Sequence, residues 1–189
     1  MNLSKRFFDL VIVVPIGLLL IVPMILIAIF IKINSDGPAL YWSERVGRQN
    51  KIFHMPKFRS MLTGTPAVAT HLLDDPSAYL TSLGGFLRKS SLDELPQIWS
   101  IIKGDMSFVG PRPALFNQQD LIALRNQYGV QILVPGLTGW AQVNGRDELP
   151  IPQKVEFDVE YLNCRSLWFD LKIIWLTFMK VISRDGVSH

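Results

Sequence analysis

Hydrophobic residues are spread unevenly along the chain. From Leu10 to Ile31 no position is charged and nearly all are apolar. At about 1.5 Å per residue, a helix of that extent could cross a hydrocarbon core of roughly 30 Å. Pro15, Gly17 and Pro23 interrupt the run, and a proline inside a helix removes a hydrogen bond and clashes with the carbonyl four residues back, here Leu19 for Pro23. Lys5 and Arg6 precede the run, and Lys32, Arg45, Arg48 and Lys51 follow it. Positive residues stay on the cytoplasmic side. A re-entrant helix bent near Pro23 therefore satisfies both flanks, whereas a spanning helix puts one on the wrong side. On length alone a spanning helix is the simpler reading, and proline kinks do occur in such helices. No A-x-A-like cleavage site follows, which argues against a signal peptide.

Beyond the turn signal Ser35-Asp36-Gly37-Pro38 the pattern changes. Short apolar or aromatic runs, Ala39–Trp42 and Lys51–His54, predict a small β-hairpin. Residues 63–82 read as a surface loop with one short helix. Leu95, Ile98, Trp99 and Ile102 have helical spacing, a helix is expected over Asn117–Tyr128 with Gly129 at its end, and the Gly- and Pro-rich stretch 134–152 reads as an ordered loop. Leu167–Ile182 is amphipathic with Asp170, Lys172 and Lys180 interspersed. It is too charged to span a bilayer. Its aromatics suit a helix at the headgroup boundary, and a core helix fits the pattern equally well.

Composition adds constraints. The chain is 49% hydrophobic with a mean hydropathy of +0.25, much of it from residues 7–33. A net charge of +3 and pI near 9.1 fit an anionic partner such as lipid headgroups or nucleotide phosphates. No basic run or motif supports nucleic acid. The single cysteine, Cys164, rules out an intrachain disulfide and reads as a small buried apolar residue in a protein facing a reducing compartment.

Candidate chemistry gathers in Ser91-Leu92-Asp93-Glu94-Leu95-Pro96-Gln97 and in Lys103–Pro113. Adjacent carboxylates such as Asp93 and Glu94 repel unless a cation offsets them, and Mg²⁺, which needs few protein carboxylates beside phosphate oxygens, is the usual offset. One carboxylate could bind metal while the other attacks phosphorus. A plainer alternative is local: Ser91-x-x-Glu94 is also a capping-box pattern. Arg112, between Pro111 and Pro113, is a rigidly presented guanidinium able to bind phosphate in a bidentate way, or else an incidental arginine on a turn. Lys57 and Arg59 share one side of an extended segment, and Arg88, Lys89 and Arg146 are further nearby cations. His54 and His71 lack metal-ligand spacing and take no role.

These motifs, in this order, resemble the bacterial sugar transferases of the small monotopic kind, the polyprenyl-phosphate phosphoglycosyl transferases. The matching segments are Lys57–Met61, Ser91–Gln97, Lys103–Pro113, Pro135–Arg146, Phe157–Tyr161 and Asp170–Ile174. The resemblance covers almost the whole chain. It implies transfer of a sugar phosphate from a UDP-sugar to a membrane polyprenyl phosphate with release of UMP, the first membrane step of glycoconjugate assembly. The residue matching Asp93 is then the nucleophile of a two-step reaction and Glu94 the Mg²⁺ ligand. Arg112 binds phosphate, with Lys57, Arg59, Arg88 and Arg146 as further candidates, and the donor sugar is expected to be an N-acetylated amino-sugar. The implied fold is mostly helical with a small β-hairpin, a proline-broken re-entrant helix over 1–34 and interfacial amphipathic helices around a catalytic domain over 35–189, on the cytoplasmic face of the inner membrane. This would be the minimal catalytic form, without further spanning helices or an added domain. Membrane lipids and other glycan-assembly enzymes are the remaining partners. Two departures stand out: Val22, not Ser, precedes Pro23, and Glu44 stands where Gln is favoured. The competing class is a non-catalytic membrane-surface module that binds phospholipid or scaffolds partners, which has no need of an Asp-Glu pair beside a proline-held arginine.

Overall fold

The computed structural model of the chain describes residues 3–66, 68, 75–145 and 149–183. The apolar run forms one helix, α1 (Leu3–Asn34), and its helical assignment passes through both Pro15 and Pro23 without interruption. It is the one described helix long and apolar enough to cross a membrane. Its sides differ. Phe7, Val11, Val14, Leu18, Val22, Ile25 and Ile29, at three- and four-residue spacings, are exposed, while Asp9, Val13 and Ile31 are buried. The buried side packs on the rest of the protein along its length. Leu10, Val13, Ile16 and Leu20 join Phe53, Met55, Ile98, Ile101 and Met106 in one core. Further on, Met24, Ile27, Ala28 and Ile31 join Phe58, Leu87, Leu92 and Leu95 in another.

The expected hairpin is present and longer than its apolar runs indicated. Strands β1 (Leu40–Val46) and β2 (Ile52–Phe58) pair antiparallel, with Leu40 opposite Phe58 and Val46 opposite Ile52. After a 3-10 segment (Pro76–Tyr79) come α2 (Gly84–Lys89), a second 3-10 segment (Leu92–Gln97) and α3 (Ile98–Lys103). Strand β3 (Ser107–Val109) pairs in parallel with β4 (Gly136–Thr138), with α4 (Gln119–Gln127) between them. The stretch read as an ordered loop thus holds β4, a short α5 (Trp140–Asn144) and the start of α6 (Ile151–Cys164). What the glycines supply there is close approach: a Cβ on Gly136 would lie 2.1 Å from the Gly110 nitrogen, so no larger residue lets these strands meet.

The last helix, α7 (Leu167–Ser183), serves two environments. Ile173 is fully buried and packs with Val109, Val130, Val143 and Tyr161, while Trp168, Leu171, Trp175 and Phe178 are exposed. The buried side bears out the core-helix reading, and the aromatic residues gather on the exposed side. Cys164 is a correction: it is exposed, because it is the final residue of α6.

A polar network ties α1 to this body. Asp9, fully buried, accepts through Oδ1 from Ser107 Oγ (3.0 Å) and from the Phe108 amide (3.2 Å). Lys5 Nζ lies 2.7 Å from Asp170 Oδ2 on α7, whose Oδ1 accepts from the Tyr161 hydroxyl at 2.7 Å. Burial, then the Asp170 charge and hydrogen bond, push the Tyr161 phenol above its ordinary pKa and keep it a neutral donor. Arg6 donates to the carbonyls of Ile101 and Ile102. Asp9→Ala strands the part-buried Phe108 amide and the buried Ser107 hydroxyl, so a loss of about 1–3 kcal/mol is expected, read as a thermal midpoint several degrees lower in detergent. An unchanged midpoint would show that the network does not hold α1.

Candidate active site

The two adjacent carboxylates enter their 3-10 segment through Ser91, whose φ of +56° puts it in the left-handed region, a conformation uncommon for a non-glycine residue. Its side chain makes no capping hydrogen bond, so the capping box is not formed. The Glu94 side chain turns the other way. Its Oε1 accepts from Lys57 Nζ at 2.8 Å and from Arg112 Nη2 at 2.9 Å. Lys57 projects from β2 and Arg112 from the loop after β3, so three distant segments meet at one oxygen. Asp93, only 8% exposed, lies with Oδ2 at 3.9 Å from the same Lys57 nitrogen.

The neighbours part the two carboxyls. Burial would raise Glu94, but Arg112 and Lys57 overcome it and hold the group well below the usual carboxylate range. For Asp93 burial prevails: it raises the carboxyl above the ordinary aspartate value, against the pull of Lys57 and with a further push from Glu94. Glu94 is thus a fixed negative charge, and Asp93 is the more basic oxygen base. Two carboxyls pushed apart in this way are suited to different tasks.

Of the other cations expected here, Arg88, in the last turn of α2, adds to the positive field on Asp93 and lies with Nη1 3.6 Å from Met61 Sδ. Arg59 is a correction. It is 5% exposed and faces the end of α1, donating to the carbonyls of Ser35 (2.9 Å) and Asp36 and to Ser35 Oγ (2.7 Å). The strand ends at Phe58, so the extended alternation that put Lys57 and Arg59 on one side stops between them. Arg146 and His71 lie outside the described residues. Among the described residues no group of three or more His, Cys, Asp or Glu side chains converges; Asp93 and Glu94 stand together as a pair of acidic side chains.

Sequence reasoning missed the residues behind Arg112. The Arg112 carbonyl accepts from Arg125 Nη1 on α4 at 2.9 Å, and Arg125 is paired with Asp158 on α6. A signal for Asp158 existed: with Val155 and Tyr161 it falls at three-residue spacing on a buried stripe, where an unpaired charge would be costly. Neither of two concavities in the fold is lined by the carboxylates. A cavity of about 30 Å³ lies behind the Arg112 loop, lined by Pro111, Arg125 and Gln131, and an apolar cleft of about 560 Å³ opens between the start of α1 and Leu167.

Comparison with known proteins gives the family. The family described as bacterial sugar transferase matches residues 1–184, and the chain belongs to that family. It is 39% identical over 198 residues to the undecaprenyl-phosphate galactose phosphotransferase of Salmonella typhimurium, covering 96% of this chain and 41% of the relative. It is 41% identical over 188 residues to the UDP-glucose:undecaprenyl-phosphate glucose-1-phosphate transferase of Escherichia coli, covering 95% of this chain and 40% of the relative. The chain thus spans about two-fifths of the length of these relatives. An uncharacterized sugar transferase of Bacillus subtilis, EpsL, is 35% identical over 185 residues, with 98% of this chain and 90% of the relative covered.

Proposed function

We propose that the chain transfers a hexose 1-phosphate from a UDP-hexose to a membrane polyprenyl phosphate, releasing UMP, through a covalent intermediate on Asp93. The observation that carries this reading is the division of labour in the carboxylate pair: Glu94 is engaged by two cations at one oxygen, while its neighbour is buried and more basic. Relatives named for undecaprenyl-phosphate galactose and glucose phosphotransfer support the substrate class. They also favour a neutral hexose over the amino-sugar expected from sequence.

In the first step an Asp93 oxygen attacks the phosphorus that bears the sugar. The bond from that phosphorus to the bridging oxygen breaks, and the electron pair leaves with UMP. In the second step an oxygen of the polyprenyl phosphate attacks the same phosphorus and the Asp93 carboxylate is released. Neither step needs a proton from the protein. Lys57 and Arg112 sit where they can offset the phosphoryl charge as it shifts between oxygens. The acidic pair fits Mg²⁺, which takes one or two carboxylates together with substrate phosphates, with Glu94 as the holding residue. When bound, Mg²⁺ neutralises the diphosphate and favours departure of the nucleoside monophosphate.

Residues 1–34 act in this reading as a re-entrant anchor on the cytoplasmic face of the inner membrane, and 35–189 as the catalytic domain. Support comes from α1 itself. One side of it packs on the protein from Leu10 to Ile31 while the other is exposed and apolar. A helix crossing the bilayer upright would leave the body at one end.

Incubation with UDP-glucose or UDP-galactose and Mg²⁺, without acceptor lipid, is expected to add the mass of a hexose phosphate to the protein. Asp93→Asn is expected to abolish the adduct and lower UMP release on the order of 10³-fold or more. Turnover by that variant would overturn the nucleophile, and adduct formed only from a UDP-amino-sugar would overturn the hexose. Mg²⁺ is expected to tighten UDP binding at least about tenfold, measured calorimetrically, and Glu94→Gln to remove that dependence; an unaltered Mg²⁺ effect in the variant would exclude Glu94 as the ligand.

A further inference from the structure

The loop that presents Arg112 is held by its carbonyls. Pro111 and Pro113 have no N–H, so most of what fixes Pro111–Ala114 must be donated to it from outside. Each of these four carbonyls has such a donor. Pro111 O accepts from the Gly136 amide at 2.9 Å and Ala114 O from the Val46 amide at 2.9 Å. Arg112 O accepts from Arg125 Nη1 at 2.9 Å and Pro113 O from Arg45 Nη1 at 3.2 Å. The two guanidinium donors are themselves fixed. Arg125 places Nε and Nη2 on Asp158 Oδ2 at 2.9 and 2.7 Å, and Asp158 is 1% exposed. Arg45 Nε donates to the buried Ser43 hydroxyl at 3.0 Å.

We propose that Arg125, with Asp158 as its counter-ion, and Arg45 are positioning residues that aim Arg112 at Glu94 and at the transferred phosphate. The second half of this statement rests on the function proposed above. The chemistry requires arginine. One planar fork spans the Asp158 carboxylate and the Arg112 carbonyl together, which the single ammonium of lysine cannot do in the same geometry. Arg125 and Arg45 donate to the carbonyls of Arg112 and Pro113, so the effect proposed for them passes through the loop.

The test uses the full chain in lipid nanodiscs. Arg125→Lys is expected to slow adduct formation in a single turnover about 10- to 100-fold while the KM for the UDP-hexose changes less than about threefold. Arg45→Lys, which leaves the Arg125–Asp158 pair intact, is the second variant, with the same signature and a smaller loss. In an Arg112→Lys background, Arg125→Lys is expected to cost less than about twofold more, because its route has been removed. Hydrogen exchange at residues 110–116 is expected to rise in Arg125→Lys and to stay unchanged in β2. Unchanged exchange at 110–116, or rate losses that multiply in the double variant, would overturn the proposal. A wild-type chain inactive with every UDP-hexose would instead fail the function, and the exchange result would then decide the clamp alone.

Discussion

Lys57, Glu94 and Arg112 come from a hairpin strand, a 3-10 turn and a proline-bounded loop, and Glu94 Oε1 is the atom at which they join. As a source of stability the junction is modest, since Arg112 is 37% exposed and ion pairs open to water contribute little. Its weight lies in placement. Each cation is oriented by the same carboxylate, and the charges of both act on Asp93. The charge of Glu94 also pushes the Asp93 carboxyl upward. Replacing that one charge would alter the position of two cations and the basicity of the neighbouring acid together.

How much of this was legible in the sequence differs by element, for physical reasons. The apolar run, the hairpin and the last amphipathic helix show as periodicity, because burial imposes it. The Asp93–Glu94 pair and the proline-flanked Arg112 show as local motifs. The parallel pairing of β3 with β4 did not show. Three residues per strand carry no usable alternation, and the partners are separated by α4. Arg59 misled because strand alternation was extended one step past the end of β2. Arg45 and Arg125 were illegible for a different reason. Their work is to donate to carbonyls, and a carbonyl acceptor leaves no mark on the residue type that supplies it.

The same limit applies to α1. Composition reveals a segment that prefers lipid, but it does not reveal which side of it prefers protein. That side includes a buried carboxylate, Asp9, which borders the uncharged run and makes sense only against Ser107 and Phe108. Buried charged groups survive where hydrogen-bond donors are fixed around them, and here the donors belong to the strand that leads into the Arg112 loop.

Two attachment zones along α1 therefore have distinct duties. The first, ending at Leu20, holds Ile98, Ile101 and Met106 and, through Asp9, the start of β3, whose continuation carries Arg112. The second, beginning at Met24, holds Phe58, Leu92 and Leu95, the apolar residues beside Lys57, Asp93 and Glu94. The two halves of the candidate site are thus fastened to different stretches of one helix, and Pro23 falls at their boundary. A proline lacks the hydrogen bond that would lock the local helical geometry, so the path of the backbone there is set by what the two zones grip. In the proposed function the segment assigned to the lipid is thus also the one that grips both the acidic pair and the strand leading to its arginine. Under that reading, anchoring and alignment of the site are a single constraint.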